Sequence, residues 1–366
     1  MKAIYNVDWL EFYCQFETWK DRDFIFQHLD WFEYEAEKMP YTTRVYAEVW
    51  KISSKGEEVG TLCCVPISTK EGGGILPSWA CQFKFANWVC YNLNLRAIVE
   101  NTFNALRIKP LHISRVDFCA DFQHFECGLR PVHLITGYTR GKYTKVNQPA
   151  VKLYGKSKSQ IEYNSVSWGS KSSDIYTRFY DKSLEQVEEV FKPWIVTQWA
   201  SRGFDTERIP QYSYTKKSGC SVEYHFKTPI WRVEFAIHHN GRHYRKDDEV
   251  KEIEWSDITP EGIIDKFLSL AYKYFDFRKV EEGKSKYKCE QLKLFPHTDI
   301  MQWQRLPNHE ASTNRTDILV AKRLGQLAKE HPKGSWNNKV LEEAEIVVDT
   351  ICHRSAKEII KSIHKQ

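Results

Sequence analysis

The sequence lacks several features that would assign it to a class. Its 366 residues contain no apolar stretch approaching the roughly 20 residues that a membrane-spanning helix needs. The amino terminus, MKAIYNVDWLEFYCQF, lacks the apolar segment and small-residue cleavage site of a secretory signal. None of the ten cysteines forms a CxxC pair, which disfavours a zinc ribbon. We therefore expect a cytoplasmic protein with no membrane partner and with reduced, mostly buried thiols.

Glycine and proline are also scarce, at 17 and 13 residues, and no internal repeat or low-complexity tract is present. Aromatic residues are abundant instead, with 13 Trp, 19 Tyr and 20 Phe. They supply a large core and also flat surfaces on which nucleic-acid bases could stack. The net charge of +5 is mild, so it permits nucleic-acid binding without requiring it.

The order of predicted elements indicates an α+β protein of two parts. Residues 1–245 read as a domain with an antiparallel β-sheet and helices on one side, and residues 250–366 as a mainly helical region. We predict a hairpin across Lys55–Gly56 and a strand–turn–strand–helix over residues 166–191. A helix should begin after Thr259, with Pro260 at its first position, and a long amphipathic helix covers residues 337–365.

The segment SSDIYTRFYDK, residues 172–182, alternates in an unusual way. As a β-strand it presents two phenols and two cations on one face, namely Tyr176, Arg178, Tyr180 and Lys182. The other face, with Ile175, Thr177 and Phe179, suits a core. The polar face is either solvated or packed under a helix, or it carries a tyrosine nucleophile beside a cationic phosphate clamp.

A second strand, ISRVDFCADF over residues 113–122, places Arg115, Asp117, Cys119 and Asp121 on one face. Two carboxylates in an otherwise apolar strand are costly to bury without compensation. Mg²⁺ or Mn²⁺ is one candidate partner, because these ions prefer carboxylate oxygen. A structural ion pair with Arg115 is the alternative.

A third strand, WRVEFAIH over residues 231–238, repeats the pattern, with Arg232 and Glu234 on one face. Solvation at a sheet edge would also account for this carboxylate. If the three strands pair in one sheet, however, they gather acids, cations and a phenol on one surface. Metal-assisted phosphodiester chemistry needs that combination.

Taken in order, the segments SRVDFCADF, WGSKSSDIYTRFYDKSLEQ and WRVEFAI resemble the motifs of the replication initiation factor family. That family contains rolling-circle replication initiators of Gram-positive plasmids and related relaxases of conjugative elements. The middle motif matches at Gly169, Ser173, Arg178, Tyr180, Lys182 and Glu185, and it carries most of the resemblance. The likeness covers about residues 110–240, and no motif matches the last hundred residues.

The resemblance implies that Tyr180 is the nucleophile of a site-specific single-strand nick and forms a 5′-phosphotyrosine. Arg178 and Lys182 are expected to stabilise the charge that develops. A divalent metal, Mg²⁺ or Mn²⁺, is expected on carboxylates drawn from Asp117, Asp121 and Glu234. The expected DNA contacts are Arg115, Arg232, Lys171 and Tyr176, of which Tyr176 packs or stacks.

The expected partner is single-stranded or hairpin origin DNA, and a helicase and a second copy of this chain are further candidate partners. Basic stretches at 139–145, 214–219 and 241–246 are either backbone contacts or solvated loops. His238, His239 and His243 do not form the His-hydrophobe-His motif of another relaxase class, and we interpret them as phosphate contacts or surface residues. Two other functions remain open: a conjugative relaxase with the same chemistry, and a non-catalytic nucleic-acid-binding module.

Overall fold

The structure is a computed structural model that describes most of the first 303 residues. The described ranges are 2–17, 22–69, 76–147, 151–157, 161–171, 173–215, 219–238, 241–246, 249–298 and 301–303. All of them belong to one compact unit, Met1–Arg305. The predicted helix over 337–365 lies outside the described residues. In the described part no helix is long and apolar enough to cross a membrane.

In the described residues, strands are more abundant than helices. They are β1 Ala3–Phe16, β2 Tyr34–Lys38, β3 Tyr46–Ser54, β4 Glu57–Pro66, β5 Ala80–Phe85, β6 Ile108–Phe122, β7 Tyr143–Lys145, β8 Val151–Ser157, β9 Ile161–Trp168, β10 Ile175–Asp181, β11 Arg208–Thr215, β12 Gly219–Phe226, β13 Trp231–His238, β14 His243–Lys246, β15 Glu249–Glu252, β16 Phe277–Lys279 and β17 Gln302–Trp303. Ten of them build one antiparallel sheet in the order β2-β3-β4-β5-β1-β6-β13-β10-β9-β8. The predicted α+β class with a large antiparallel sheet is confirmed for the described residues.

Seven α-helices accompany the sheet in the ranges given above. They are α1 Arg22–Gln27, α2 Asn87–Cys90, α3 Leu95–Leu106, α4 Pro131–Thr139, α5 Lys182–Glu188, α6 Pro193–Ser201 and α7 Pro260–Tyr274. The start of α7 is as predicted, because the Thr259 hydroxyl accepts a hydrogen bond from the Gly262 amide at 3.1 Å. The predicted hairpin joins β3 to β4, and Lys55 and Gly56 both have positive φ, at 52° and 80°, as a tight two-residue turn requires.

The sheet has an apolar face and a polar face, and β6 shows both. Its apolar face carries Val116, Phe118, Ala120 and Phe122, all buried. We use "polar face" for the opposite side, which carries Asp117 and Asp121. Alternation along the strand therefore sends the two sets of side chains in opposite directions.

Helices cover both faces, so the prediction of helices on one side was wrong. On the apolar face, Phe267 of α7 packs against Phe235, with ring centres 5.3 Å apart. On the polar face, the Trp199 indole of α6 donates to Asp121 at 2.7 Å. Sequence periodicity did not predict α6, although Pro193 opens the helix and Gly203 follows it. Its indole satisfies a buried carboxylate on the polar face.

The cysteines follow the prediction in the described part of the chain. The side chains of eight cysteines are described, all with free thiols, and six of these are buried. Cys14 and Cys81 are direct cross-strand partners on β1 and β5. Burial raises the pKa of the Cys81 thiol well above its ordinary value. These thiols therefore act as small apolar core groups.

Candidate active site

Three strands that are far apart in the sequence lie side by side in the sheet: β6, β13 and β10. Their register sets Asp121 opposite Arg232 and Arg232 opposite Tyr180. Two residues along, Arg178 stands opposite Glu234. Directly paired residues share a face. The polar face therefore gathers a phenol, two guanidinium groups and two carboxylates.

Tyr180 lies in the wall of an open cleft of about 1180 Å³. Its hydroxyl donates a hydrogen bond to Glu234 Oε2 at 3.0 Å. Lys182 Nζ donates to the same hydroxyl oxygen at 3.4 Å. The phenol is partly exposed. A substrate in the cleft therefore meets a hydroxyl that already has a proton acceptor and a neighbouring cation.

The charges around the phenol favour its protonated form in the resting state. Burial raises the pKa of Tyr180 well above 10, and the charge of Glu234 raises it further. Burial also disfavours the charged form of Glu234, but the Arg178 guanidinium outweighs this and holds the pKa of Glu234 below 4.5. The pair at rest is thus a neutral phenol beside an ionised carboxylate, which is the arrangement that general-base activation of a hydroxyl requires.

Arg178 connects Glu234 to the cleft. It forms an ion pair with Glu234 Oε1, and the arginine side chain is 40% exposed while the carboxylate is fully buried. Its guanidinium carbon lies 5.4 Å from the centre of the Tyr180 ring. The ion pair raises the pKa of Arg178. Arg178 is therefore a permanent cation that holds the base and still reaches solvent.

Lys182 is held rigidly beside the phenol. It is the first residue of α5, and the preceding Asp181 caps the helix by accepting from the Leu184 amide at 2.9 Å. The lysine side chain is 1% exposed. Its ammonium donates to both Glu185 oxygens, at 2.7 and 2.8 Å. Glu185 thereby compensates a buried charge and fixes its position near Tyr180.

Asp121 and Arg232 form a buried ion pair next to this site. Arg232 donates from Nε and Nη2 to the two Asp121 oxygens at 2.6 and 2.7 Å. Trp199 adds its indole bond at 2.7 Å. Both Asp121 and Arg232 side chains are fully buried. The structure thus gives Arg232, which was predicted to contact DNA, and Asp121, which was predicted to bind metal, a mutual ion pair in the interior.

Asp117 and Arg115 form a second two-point contact on β6. Arg115 donates from Nε and Nη2 to the two Asp117 oxygens at 2.8 and 2.6 Å. Burial and the nearby charge of Glu234 raise the pKa of Asp117 to about 8, against the lowering effect of Arg115. The Arg115 guanidinium also stacks 4.1 Å from the centre of the Trp9 ring. Arg115 is partly exposed, so it retains a path to a ligand.

The other two predicted DNA contacts have opposite environments. Lys171 is exposed in the turn between β9 and β10. Tyr176 is buried at 9% exposure and leaves little ring surface for a base. Its alternation with Arg178 sets it on the polar face, where it packs. His238 at the end of β13 is half-buried, His243 lies 3.4 Å from Glu252, and His239 lies outside the described residues.

The three predicted metal ligands do not form a metal site in this arrangement. Asp117 gives both oxygens to Arg115, and Asp121 gives both to Arg232. Glu234 gives one oxygen to Arg178 and the other to Tyr180. Over the described ranges no group of three or more His, Cys, Asp or Glu side chains is arranged to hold a metal. Cations and a phenol occupy the donor atoms that a metal would need.

Sequence reasoning missed Asp8, which completes the site. A register shift between Val7 and Trp9 on β1 turns Asp8 into the cleft, where it accepts from Arg232 Nη1 at 2.5 Å. Burial raises the pKa of Asp8, but Arg232 and Lys182 lower it far more, so the group is ionised. The sequence shows that Asp8 lies in an aromatic-rich strand, but it does not predict the bulge that directs this side chain into the cleft.

The lining of the cleft is richer in acids than the motif suggested. It contains seven acids, which are Asp8, Glu57, Glu58, Asp181, Glu185, Glu188 and Glu189, and four cations, which are Lys84, Arg178, Lys182 and Lys192. Aromatic side chains also line it, among them Trp88, Tyr154 and Trp194. The cleft therefore combines stacking surfaces with a net negative formal charge.

Comparisons with known proteins add little at the level of residues. No family model matches the chain, and no curated protein matches it. Among solved structures, the chain is similar to "Structure of Rolling Circle Replication Initiator Protein from Geobacillus stearothermophilus", with 13% identity and a TM-score of 0.42. The match covers 80% of this chain and 93% of that chain. At this identity and TM-score the similarity assigns no residue and no activity.

Proposed function

We propose that the chain is a sequence-specific single-strand DNA nicking and joining enzyme that initiates rolling-circle replication, with Tyr180 as its nucleophile. The observation that carries the proposal is the hydrogen bond from the Tyr180 hydroxyl to Glu234 Oε2 at 3.0 Å, at the wall of an open cleft. The motif resemblance supplies the reaction class. The proposal combines the motif with this hydrogen bond, because the tyrosine of the motif is the one whose hydroxyl contacts a candidate general base.

In the proposed step, Tyr180 Oη attacks a DNA phosphorus and the bond from phosphorus to O3′ breaks. The phenol proton passes to Glu234 Oε2, and O3′ takes a proton from solvent. The product is a 5′-phosphotyrosine and a free 3′-hydroxyl that can prime synthesis. The covalent bond conserves the phosphodiester energy, so attack by a 3′-hydroxyl rejoins the strand and restores the tyrosine.

Two cations act on the charge that develops in this step. Lys182 Nζ is 3.4 Å from the attacking oxygen, so it stabilises phenolate character there. Arg178 is half-exposed beside the ring and is the group that contacts the non-bridging phosphate oxygens. Each preorganised donor of this kind contributes about 10²–10³ in rate in enzymes where one has been removed.

The dependence on Mg²⁺ or Mn²⁺ stays a prediction of the resemblance. The three predicted ligands do not fit a metal, because Arg115, Arg232, Arg178 and Tyr180 occupy all six of their oxygens. The step above is therefore written with side chains alone. Adding EDTA or Mn²⁺ to the assay below tests the requirement directly.

The test is covalent trapping. The protein is incubated with single-stranded and hairpin oligonucleotides that tile the DNA flanking its own coding sequence, and adducts are separated by denaturing electrophoresis. We expect one adduct, with the modified peptide containing Tyr180. Tyr180→Phe should remove it, because the ring is kept and only the nucleophilic oxygen is lost. Tyr212→Phe on β11, where the phenol is 70% exposed, is the matched control.

An adduct that persists in Tyr180→Phe would refute the assignment of the nucleophile. Salt-sensitive binding with no adduct on any oligonucleotide would favour the non-catalytic binding module instead. A conjugative relaxase would give the same adduct, so the position of the cleaved oligonucleotide, at a replication or a transfer origin, separates these two functions.

A further inference from the structure

A basic surface lies away from the cleft, on the small sheet formed by β7 and β16. We define it as residues 139–146 and 276–293. Arg278 pairs with Thr144 across the two strands, and the Lys279 amide bonds the Glu290 carbonyl at 3.0 Å. Lys286 Nζ reaches back to the Val146 carbonyl at 2.9 Å. Two segments more than a hundred residues apart are therefore held in one surface.

This basic surface has a large excess of cations. Its two segments contain nine Lys and Arg residues against four Asp and Glu, a net charge of +5 that equals that of the whole chain. Lys142, Lys279 and Lys288 are exposed, and no ion pair involves them within the described ranges. Tyr287 is 63% exposed, with the Lys286 ammonium 5.2 Å from its ring centre.

The basic surface and the cleft are on opposite faces of the large sheet. Phe277 of β16 packs against Trp168 of β9, with ring centres 5.6 Å apart. Trp168 is the cross-strand partner of Thr177, whereas Ser165 is the partner of Tyr180. Alternation puts Trp168 on the apolar face and Tyr180 on the polar face. The cations are therefore separate from the groups proposed to cut DNA.

This separation matters because the cleft has the wrong charge for holding a polyanion. With seven acids and four cations in its lining, the cleft repels a phosphate chain beyond the one phosphate that meets Arg178 and Lys182. Affinity for nucleic acid comes mainly from neutralised phosphates and released counterions. A separate cationic surface supplies what the cleft lacks.

We propose that the basic surface binds the phosphate backbone of duplex DNA and anchors the substrate whose unpaired segment enters the cleft. The inference rests on the proposed function for its choice of ligand. Unpaired lysines on a firmly hydrogen-bonded surface suit contacts to phosphate without base recognition.

The test is the salt dependence of binding to a fluorescent 30-base-pair duplex of random sequence. The variant is Lys142→Gln/Lys279→Gln/Lys288→Gln. The control is Lys38→Gln/Lys51→Gln/Lys55→Gln, which changes net charge equally at the β2–β3 end of the sheet. Each control lysine is paired with a glutamate. Thermal melting of both variants verifies that they fold.

We expect the slope of log affinity against log salt to fall by about 2 to 3 in the first variant, at about 0.9 per phosphate contact. At 0.1 M salt the affinity should fall by about 100-fold to 1,000-fold by the same relation. The control should keep the wild-type slope. An unchanged slope in the first variant, an equal loss in the control, or no duplex binding by the wild type would overturn the inference.

This result is independent of the trapping experiment. If the wild-type protein forms no covalent adduct, the proposed nicking function is refuted and the binding slope stands as measured. A normal adduct with an unchanged slope would refute only the role of the basic surface.

Discussion

Replacing Asp121 with asparagine separates a structural role from metal binding. The carboxylate accepts three hydrogen bonds, two from Arg232 and one from Trp199, in a fully buried position. Asparagine keeps the shape, but in either orientation its amide group points a donor at the Arg232 guanidinium, and in one of them also at the Trp199 indole. It also leaves the Arg232 charge with Asp8 as its remaining partner.

The cost follows from that geometry. Removing one partner of a buried ion pair costs about 3–5 kcal/mol, because the other charge stays buried without compensation. Since Asp8 still pairs with Arg232, we expect a loss near the lower end, about 3 kcal/mol. For a unit of about 300 residues this corresponds to a decrease in melting temperature of about 5 °C.

The assay is urea unfolding of wild type and Asp121→Asn, each with EDTA and with Mn²⁺. The structural role predicts the same loss in both conditions. Glu33→Gln, in an exposed pair with Lys55, is the control and should have no measurable effect. The reasoning is refuted if Asp121→Asn is as stable as wild type. It is also refuted if Mn²⁺ stabilises the wild type strongly and the variant not at all, because that result identifies Asp121 as a metal ligand.

Three further predictions concern the neighbouring groups. Glu234→Gln removes the acceptor of the Tyr180 proton and should slow adduct formation by about 10²–10⁴ in single-turnover assays, and an unchanged rate would exclude Glu234 as the base. Lys182→Met keeps the length of the side chain but removes the ammonium next to the attacking oxygen, so the rate of adduct formation should fall by about 10²–10³. A fall in rate smaller than that of an exposed lysine variant would contradict this. The pKa of Asp117 is about 8 in the folded protein against 3.8 ordinarily, so the folded state binds this proton more tightly than the unfolded state. The stabilisation of the folded state by this proton is therefore full below about pH 4 and is lost as the pH rises to 8. In urea unfolding, the stability of wild type relative to Asp117→Asn should therefore fall by up to about 1.4 kcal/mol per pH unit between pH 5 and 8, and a flat difference would contradict the raised pKa.

Alternation along strands made much of this architecture predictable. Period-two patterns indicated β6, β10 and β13, and the turn at Lys55–Gly56 fixed the β3–β4 hairpin. The alternation of Arg178 and Tyr180 also set them on the face opposite Phe179, which is fully buried. These predictions succeed because a strand with one buried face leaves little freedom in which side chains point inward.

The partners within the polar face were not predictable in the same way. The family resemblance implied a metal on carboxylates drawn from Asp117, Asp121 and Glu234, but each of the three meets a different arginine across or along the strands. Which cation meets which acid depends on register, and register is a property of the folded sheet. No periodic pattern in the sequence predicts the bulge that turns Asp8 into the cleft. The same holds for the helix that positions Trp199.

Because β10 pairs with β13, the contacts of the site depend on the number of residues in these two strands. Glu234 holds both the phenol and its neighbouring guanidinium through side chains two positions apart on the opposing strand. Inserting or deleting a single residue in one of these strands would turn the groups of that strand beyond the change to the apolar side, among the phenylalanines. Related sequences can therefore differ in the length of their loops. Between residues 175 and 181 and between residues 231 and 238 they can differ in residue type but not in length.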